Sequence, residues 1–326
     1  MKLISFRIST AIGPQVRIGA VTPSGQFVDL DAAYRSYLVG EGLTPASASR
    51  IASAMLPNDM VEFIGGGAIA LRAAHEALEW AERSERDASQ GQIHFEPQDV
   101  ELLAPIPRPP LLRDFMAFET HLQNIYPKLG RQIPPEWYRM PVYYKGNPGS
   151  IAAHENQIPI PSYADALDYE FEVAMVIGKS GMDIPRECAM EHVFGFMIYN
   201  DFSARDIQSR EMSVGLGPAK GKDFDKGHVF GPYLVTIDEI ENPYAMRMVS
   251  RINGQERCDD SSGSMHWKFE DMITHASLGE QLVAGEIFGT GTVGNGSGAE
   301  LGEFLNRGDM IELEVEGLGL LRNRIV

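Results

Sequence analysis

The stretch Leu167–Gly178, LDYEFEVAMVIG, decides how this chain is read. Side chains alternate along a strand, so Phe171, Val173, Met175 and Ile177 share one apolar face while Glu170 and Glu172 share the other. Ala174 and Val176 continue the glutamate face with apolar residues, which argues against a solvated edge. Two buried carboxylates need compensation, because an unpaired charge in a protein interior is very costly. Carboxylates that converge in this way can hold a hard divalent cation. The plain alternative is the charged outer side of an edge strand.

The rest of the chain limits the choices. Its 326 residues suit one large domain or two of ordinary size. A net charge of -17, from 45 acidic and 28 basic side chains, repels nucleic acid and anionic membranes. Neither is an expected partner. Cys188 and Cys258 have no zinc-like spacing; two thiols suit a reducing compartment, and a disulfide between them stays open. The start, MKLISFRISTAIG, lacks a sustained apolar region, and no apolar run reaches 18 residues. A cytoplasmic protein is expected.

Residues 1–104 read as an N-terminal α+β module. KLISFRI and QVRIGAVT alternate as strands, TPSGQFVDL gives a turn and a strand, and GAIALRAAHEALEWAERSER has helical spacing. Residues 105–110 are a Pro-rich linker, and residues 111–326 form a second domain. There EFEVAMVIG, GPYLVTI, RMVSRING and MIELEVEGLGLL read as strands, the last as one alternating strand to the end of the chain. Helices follow Asn200-Asp201, with Ser203 as N-cap, and run through MHWKFEDMITHA. The fold class is a β-dominated α+β.

Four further segments carry groups capable of chemistry. In YNDFSARDIQSREM, Asp201 precedes a helix on which Arg205 and Gln208 share a face; a capped surface helix is the bland reading. In LRDFMAFETHLQN, Asp114 lies seven residues before His121, a histidine suited to general-base work but competing with seven others. GPAKGKDFDKG sets Lys220, Lys222 and Lys226 in a glycine-rich turn. GTGTVGNGSGAELG contains a formal GxGxxG, but no βαβ unit follows, so a dinucleotide site is rejected. A turn offering backbone N–H groups and the Thr292 hydroxyl to a substrate fits better.

Taken in order, DYEFEVAMVIG, NDFSARDIQ, LGPAKGKDF and GTGTVG resemble the fumarylacetoacetate hydrolase family, over about two-thirds of the chain. The resemblance implies a mixed β-sandwich or roll preceded by a smaller N-terminal domain, and a homodimer. It implies that Glu170, Glu172, Asp201 and Asp114 bind a divalent cation, with Mg²⁺ first and Ca²⁺ or Mn²⁺ as alternatives. His121, oriented by Glu300 with Glu303 a neighbouring competitor, becomes the base. Lys222, Arg205 and Gln208 would contact the substrate or its oxyanion, and Tyr144 and Thr292 would line its site. The activity implied is hydrolysis of a carbon–carbon bond in a 1,3-dicarbonyl acid, such as an acylpyruvate from aromatic catabolism. Hydration, isomerisation or decarboxylation of a 2-oxo acid through the same enolate is the alternative. Two positions depart from the family pattern. Met116 replaces a tyrosine, from which a more apolar acyl group is expected, and neither Lys128 nor Arg131 has the spacing of the arginine that reads a distal carboxylate.

Overall fold

The computed structural model describes residues 1–84 and 91–326. The chain divides into two compact units, Met1–Pro107 and Arg108–Val326. The division falls inside the proline-rich segment. The end of the predicted first-unit helix, from Glu85 onward, lies outside the described residues.

In the first unit, β1 (Lys2–Thr10), β2 (Gly13–Val21), β3 (Phe27–Asp29) and β4 (His94–Phe95) pair antiparallel in succession, and β5 (Glu101–Leu102) lies on the other side of β1. Four helices follow β3: α1 (Leu30–Gly40), α2 (Pro45–Met55), α3 (Met60–Gly65) and α4 (Gly67–Ala81). Helix α4 buries an alanine stripe, Ala70, Ala73, Ala74, Ala77 and Ala81, whose small side chains let neighbours pack closely.

Asp29 caps α1 by accepting from Ala32 N at 3.1 Å, and it pairs with Arg17 Nε at 3.1 Å. Burial outweighs both and pushes its carboxyl from the ordinary 3.8 up to about 6. A raised carboxyl favours the fold fully below its unfolded pKa, and that contribution is lost as pH rises through about 6. Asn also caps well. Asp29→Asn is therefore expected to remove a loss of about 1–3 kcal/mol between pH 4 and 7, at about 1.4 kcal/mol per pKa unit. Urea melts at both pH values check this; parallel pH profiles for the two proteins would contradict it.

The second unit contains β6 (Leu112–Phe115), α5 (Glu119–Ile125), β7 (Tyr143–Gly146), β8 (Ile151–Ala153), β9 (Gln157–Ile158), β10 (Leu167–Asp168), β11 (Phe171–Ile177), β12 (Val193–Asp201) and β13 (Ser203–Ala204). It continues with α6 (Arg205–Ser213), β14 (His228–Thr236), β15 (Arg247–Ile252), β16 (Gln255–Ser261), α7 (Phe269–Ser277), β17 (Ile287–Gly289), α8 (Gly298–Leu301), β18 (Met310–Val315) and β19 (Gly319–Ile325). One sheet runs β14-β12-β11-β17-β6-β7, with β8 parallel to β14. A second runs β16-β15-β18-β19-β9, and β10 pairs with β13. Phe171, Val173, Met175 and Ile177 of β11 join Phe196, Ile198, Leu313, Val315 and Leu321 in one core. This is the apolar face expected of the opening stretch.

Strand β6 lies parallel to β17, with Asp114 opposite Gly289. Its neighbour Arg113 points to the other side of the sheet and is fully buried. There it donates to Glu286 Oε2 at 3.1 Å, Glu280 Oε1 at 2.7 Å and Tyr143 Oη at 2.9 Å.

Two local expectations are corrected. Ser203 is not an N-cap: it lies in β13 and donates to the Asp201 carbonyl, and α6 begins after Ala204 without a side-chain cap. The final stretch is not one strand but the hairpin β18–β19, because Gly317 and Gly319 take positive φ (80° and 105°) and reverse the chain. Among the described residues no helix is long and apolar enough to cross a membrane.

Candidate active site

Three strands of one sheet, β12 and β11 side by side and β6 one strand further on beyond β17, bring the predicted acids together. Asp114 comes from β6, Glu170 from just before β11 and Glu172 from its start, and Asp201 from the end of β12. One carboxylate oxygen from each lies within 4.8 Å of the others, and all four residues are buried. Gly291 N donates to Glu172 Oε2 at 2.9 Å and to Asp114 Oδ1 at 3.2 Å. The Gly291 N–H of the glycine turn therefore serves the carboxylates, while Gly291 and Thr292 also line the cavity. Gly289 makes room for them: a Cβ there would stand 2.5 Å from Asp114 Oδ1 and 2.9 Å from Glu172 Oε2.

The cations divide unevenly around this cluster. Lys222, almost fully buried, ion-pairs with Glu170 and Asp201. Burial opposes its charge, yet Asp201 and Glu170 prevail and raise its pKa. Arg205 donates from Nε to Asp168 Oδ2 at 2.8 Å and from Nη1 to Gln208 Oε1 at 3.0 Å, and its Nη2 lies 2.7 Å from Glu170 Oε1. The last contact is close but lacks hydrogen-bond alignment. Burial raises the Glu170 and Asp201 carboxyls; Arg205 and Lys222 more than offset it for Glu170, and Lys222 and His228 for Asp201, so both end low. Asp114 and Glu172 lie away from these cations. Burial, with Asp201 beside Asp114 and Asp114 beside Glu172, pushes both carboxyls well up, and Glu172 Oε1 is buried without a hydrogen-bond partner. An all-oxygen set with an unpartnered buried atom and surplus negative charge fits a divalent cation.

His121, on α5, places Nδ1 3.0 Å from Glu300 Oε2, again without good hydrogen-bond alignment. Glu300 is held by Asn295 N at 2.9 Å, Asn124 Nδ2 at 3.0 Å and Ser297 Oγ at 2.9 Å. Burial raises its carboxyl, but His121 and these donors leave it below the usual value. Glu303 turns outward to Arg257, 3.0 Å away, so Glu300 is the partner of His121. A cavity of about 220 Å³ opens over the cluster, lined by Asp114, Glu170, Glu172, His121 and Lys222. Tyr144, Thr292, Gln208 and Met116 also line it, while Arg205 does not. Tyr144 Oη donates to Asp201 Oδ2 at 2.7 Å. Lys128 donates to the carbonyls of Ala299 and Glu300, and Arg131 is exposed; neither lines the cavity.

Two buried residues escaped the sequence reading. His228 Nδ1 lies 3.0 Å from Asp201 Oδ1 and Nε2 lies 3.1 Å from Asp223 Oδ1. Burial works against its charge, but the two aspartates raise it to about 9. Asp168 accepts from Gly298 N at 2.7 Å and Ala299 N at 3.0 Å, the first N–H groups of the short helix that carries Glu300. With its bond to Arg205, it ties the dyad to the carboxylate cluster. Removing one partner of a buried pair costs about 3–5 kcal/mol. Asp168→Ala is expected to lose stability on that scale and at least tenfold in kcat, read by thermal melts and steady-state kinetics. Unchanged kcat in folded variant would reject the link.

A buried acid cluster and the histidine of a histidine–carboxylate dyad, which face one cavity through His121, Asp114, Glu170 and Glu172, mark the second unit as catalytic. Residues 111–326 match the family described as fumarylacetoacetate (FAA) hydrolase C-terminal, and the chain belongs to the fumarylacetoacetate hydrolase family. Among curated relatives, the oxaloacetate tautomerase YisK of Bacillus subtilis (strain 168) is 32% identical over 276 residues, covering 83% of this chain and 87% of the relative. A fumarylacetoacetate hydrolase from psychrophilic Exiguobacterium antarcticum superposes with a TM-score of 0.71 at 26% identity, covering 99% of each chain. A maleylpyruvate hydrolase from Sphingobium sp. SYK-6, solved with manganese(II) and pyruvate, gives a TM-score of 0.69 at 20% identity, covering 100% of this chain and 99% of that one. At that identity it speaks to the fold alone.

Proposed function

We propose that this protein is a divalent-cation-dependent tautomerase acting on a 2-oxo acid with a second carbonyl two carbons away. The observation that carries the reading is that His121, paired with Glu300, lines the same cavity as Asp114, Glu170 and Glu172 of the four-carboxylate cluster. The resemblance to an oxaloacetate tautomerase supports it and moves isomerisation ahead of the hydrolysis expected from sequence.

Asp114, Glu170, Glu172 and Asp201 would hold the cation, Mg²⁺ or Mn²⁺, which when bound supplies positive charge for a developing enolate. His121 takes the proton from the carbon between the two carbonyls, so that a C–H bond breaks. Returned to a carbonyl oxygen, the same proton completes the enol. Glu300 holds the imidazole and steadies its charge between the two transfers. Lys222 adds fixed positive charge at the cavity floor.

Hydrolysis is the second reading, and the dyad favours it too. A base able to take a carbon-bound proton can take one from water, whose attack on the distal carbonyl would break the C–C bond. One experiment separates the two. Enol absorbance of oxaloacetate and of acylpyruvates is followed with protein, with and without Mg²⁺ or Mn²⁺, and the products are weighed by mass spectrometry. Faster metal-dependent relaxation at unchanged mass supports tautomerisation, and two fragments support hydrolysis. No metal-dependent change across the panel rejects both.

A further inference from the structure

We infer that the cavity selects a substrate whose group beyond the second carbonyl is short, uncharged and apolar. The inference rests on the proposed reaction for what lies at the cavity floor, and on separate residues for what lies at its mouth. The floor is polar and closed: Asp114, Glu170, Glu172, Lys222 and Thr292 are all buried. The residues that line the cavity while keeping contact with solvent are mostly apolar; the polar ones are Tyr143, Tyr144 and Gln208, whose hydroxyls and amide oxygen are taken up by Arg113, Asp201 and Arg205. Met116, Val142 and Pro218 are partly exposed, and Met212, at the end of α6, is 45% exposed.

Charge decides the matter. Lys222 is the only lysine or arginine in the lining among the described residues, and it is already held by Glu170 and Asp201. Lys128, Arg131 and Arg205 lie outside the lining, two of them bonded elsewhere. A substrate carboxylate at the mouth would thus lose water against largely apolar side chains, with the Gln208 amide but no cation to meet it. An alkyl group there replaces water on the same surface with a gain. The volume, about 220 Å³, lies below the roughly 300–1,000 Å³ common for drug-sized ligands, so the group is short.

The test compares two size-matched 2,4-dioxo acids, one ending in an isopropyl group and one in a carboxylate. With Mg²⁺, turnover should favour the isopropyl acid at least about tenfold in kcat/KM, the low end of what one pocket group discriminates. Met212→Arg should narrow or reverse that ratio by adding a cation at the mouth. Calorimetric binding of the corresponding simple 2-oxo acids, which lack the second carbonyl, separates the two readings. Tighter binding of the isopropyl acid without turnover of either substrate supports the apolar mouth and counts against the proposed reaction. Equal binding, no binding, or a preference for the carboxylate overturns the inference.

Discussion

His121→Ala is expected to lower kcat by about 10²–10⁴-fold, the range for removing a positioned general base. KM should move less than kcat, since the proposed reaction gives His121 the proton and leaves the substrate's charge to the cation site and Lys222. The variant should still respond to Mg²⁺ in a thermal melt, because His121 is not among the four clustered acids. Glu300→Gln should cost less, for the amide can still orient the ring but cannot stabilise its cation. Each measurement has a clear contrary result. Full activity in His121→Ala would remove the base from the mechanism; loss of the metal response would show that the ring belongs to the cation site.

Glu172→Gln should separate stability from function in opposite directions. Burial and Asp114 disfavour the Glu172 carboxylate in the metal-free protein, and one of its oxygens is unpartnered. An amide of the same shape relieves that cost, so the metal-free variant should melt at or above the wild-type temperature. Metal-induced stabilisation, about 2.7 kcal/mol for wild type at a hundredfold excess over Kd, should vanish together with activity. Gly289→Ala provides the control in which both quantities fall. Its added methyl would crowd Asp114 and Glu172, removing metal binding while straining the strand. A metal response in Glu172→Gln equal to wild type would take this glutamate out of the ligand set.

The parts of the site legible in the sequence are those that strand or helix geometry fixes locally. The two-residue spacing of Glu170 and Glu172 places them on one face whatever the sheet order. The apolar partners of that face, Phe171 to Ile177, are found in the core as expected. Arg205 and Gln208, three apart, do meet on α6. Long-range partners left no such mark. Asp168 bonds Ala299 across 131 positions, and Asp201 meets His228 across 27. Arg205 illustrates the same limit: its helix face was readable, but its pairing with Asp168 and Glu170 needed the fold. The hairpin β18–β19 was missed because the alternation of β18 ends in glycines that also fit a continuing strand.

The opposed side chains of Arg113 and Asp114 make β6 self-checking. A one-residue slip against β17 would swap their faces. The guanidinium would then enter the acid cluster, and the aspartate would meet Glu280 and the buried Glu286 with only the exposed Lys145, 3.2 Å from Glu280, to offset them. Wrong pairing is thus penalised by charge on both sides of the sheet at once, while hydrophobic pattern alone would penalise it on one. Catalytic geometry and folding fidelity are therefore guarded by the same dipeptide, so a chain that assembles this strand out of step should fail to fold before it can fail to react.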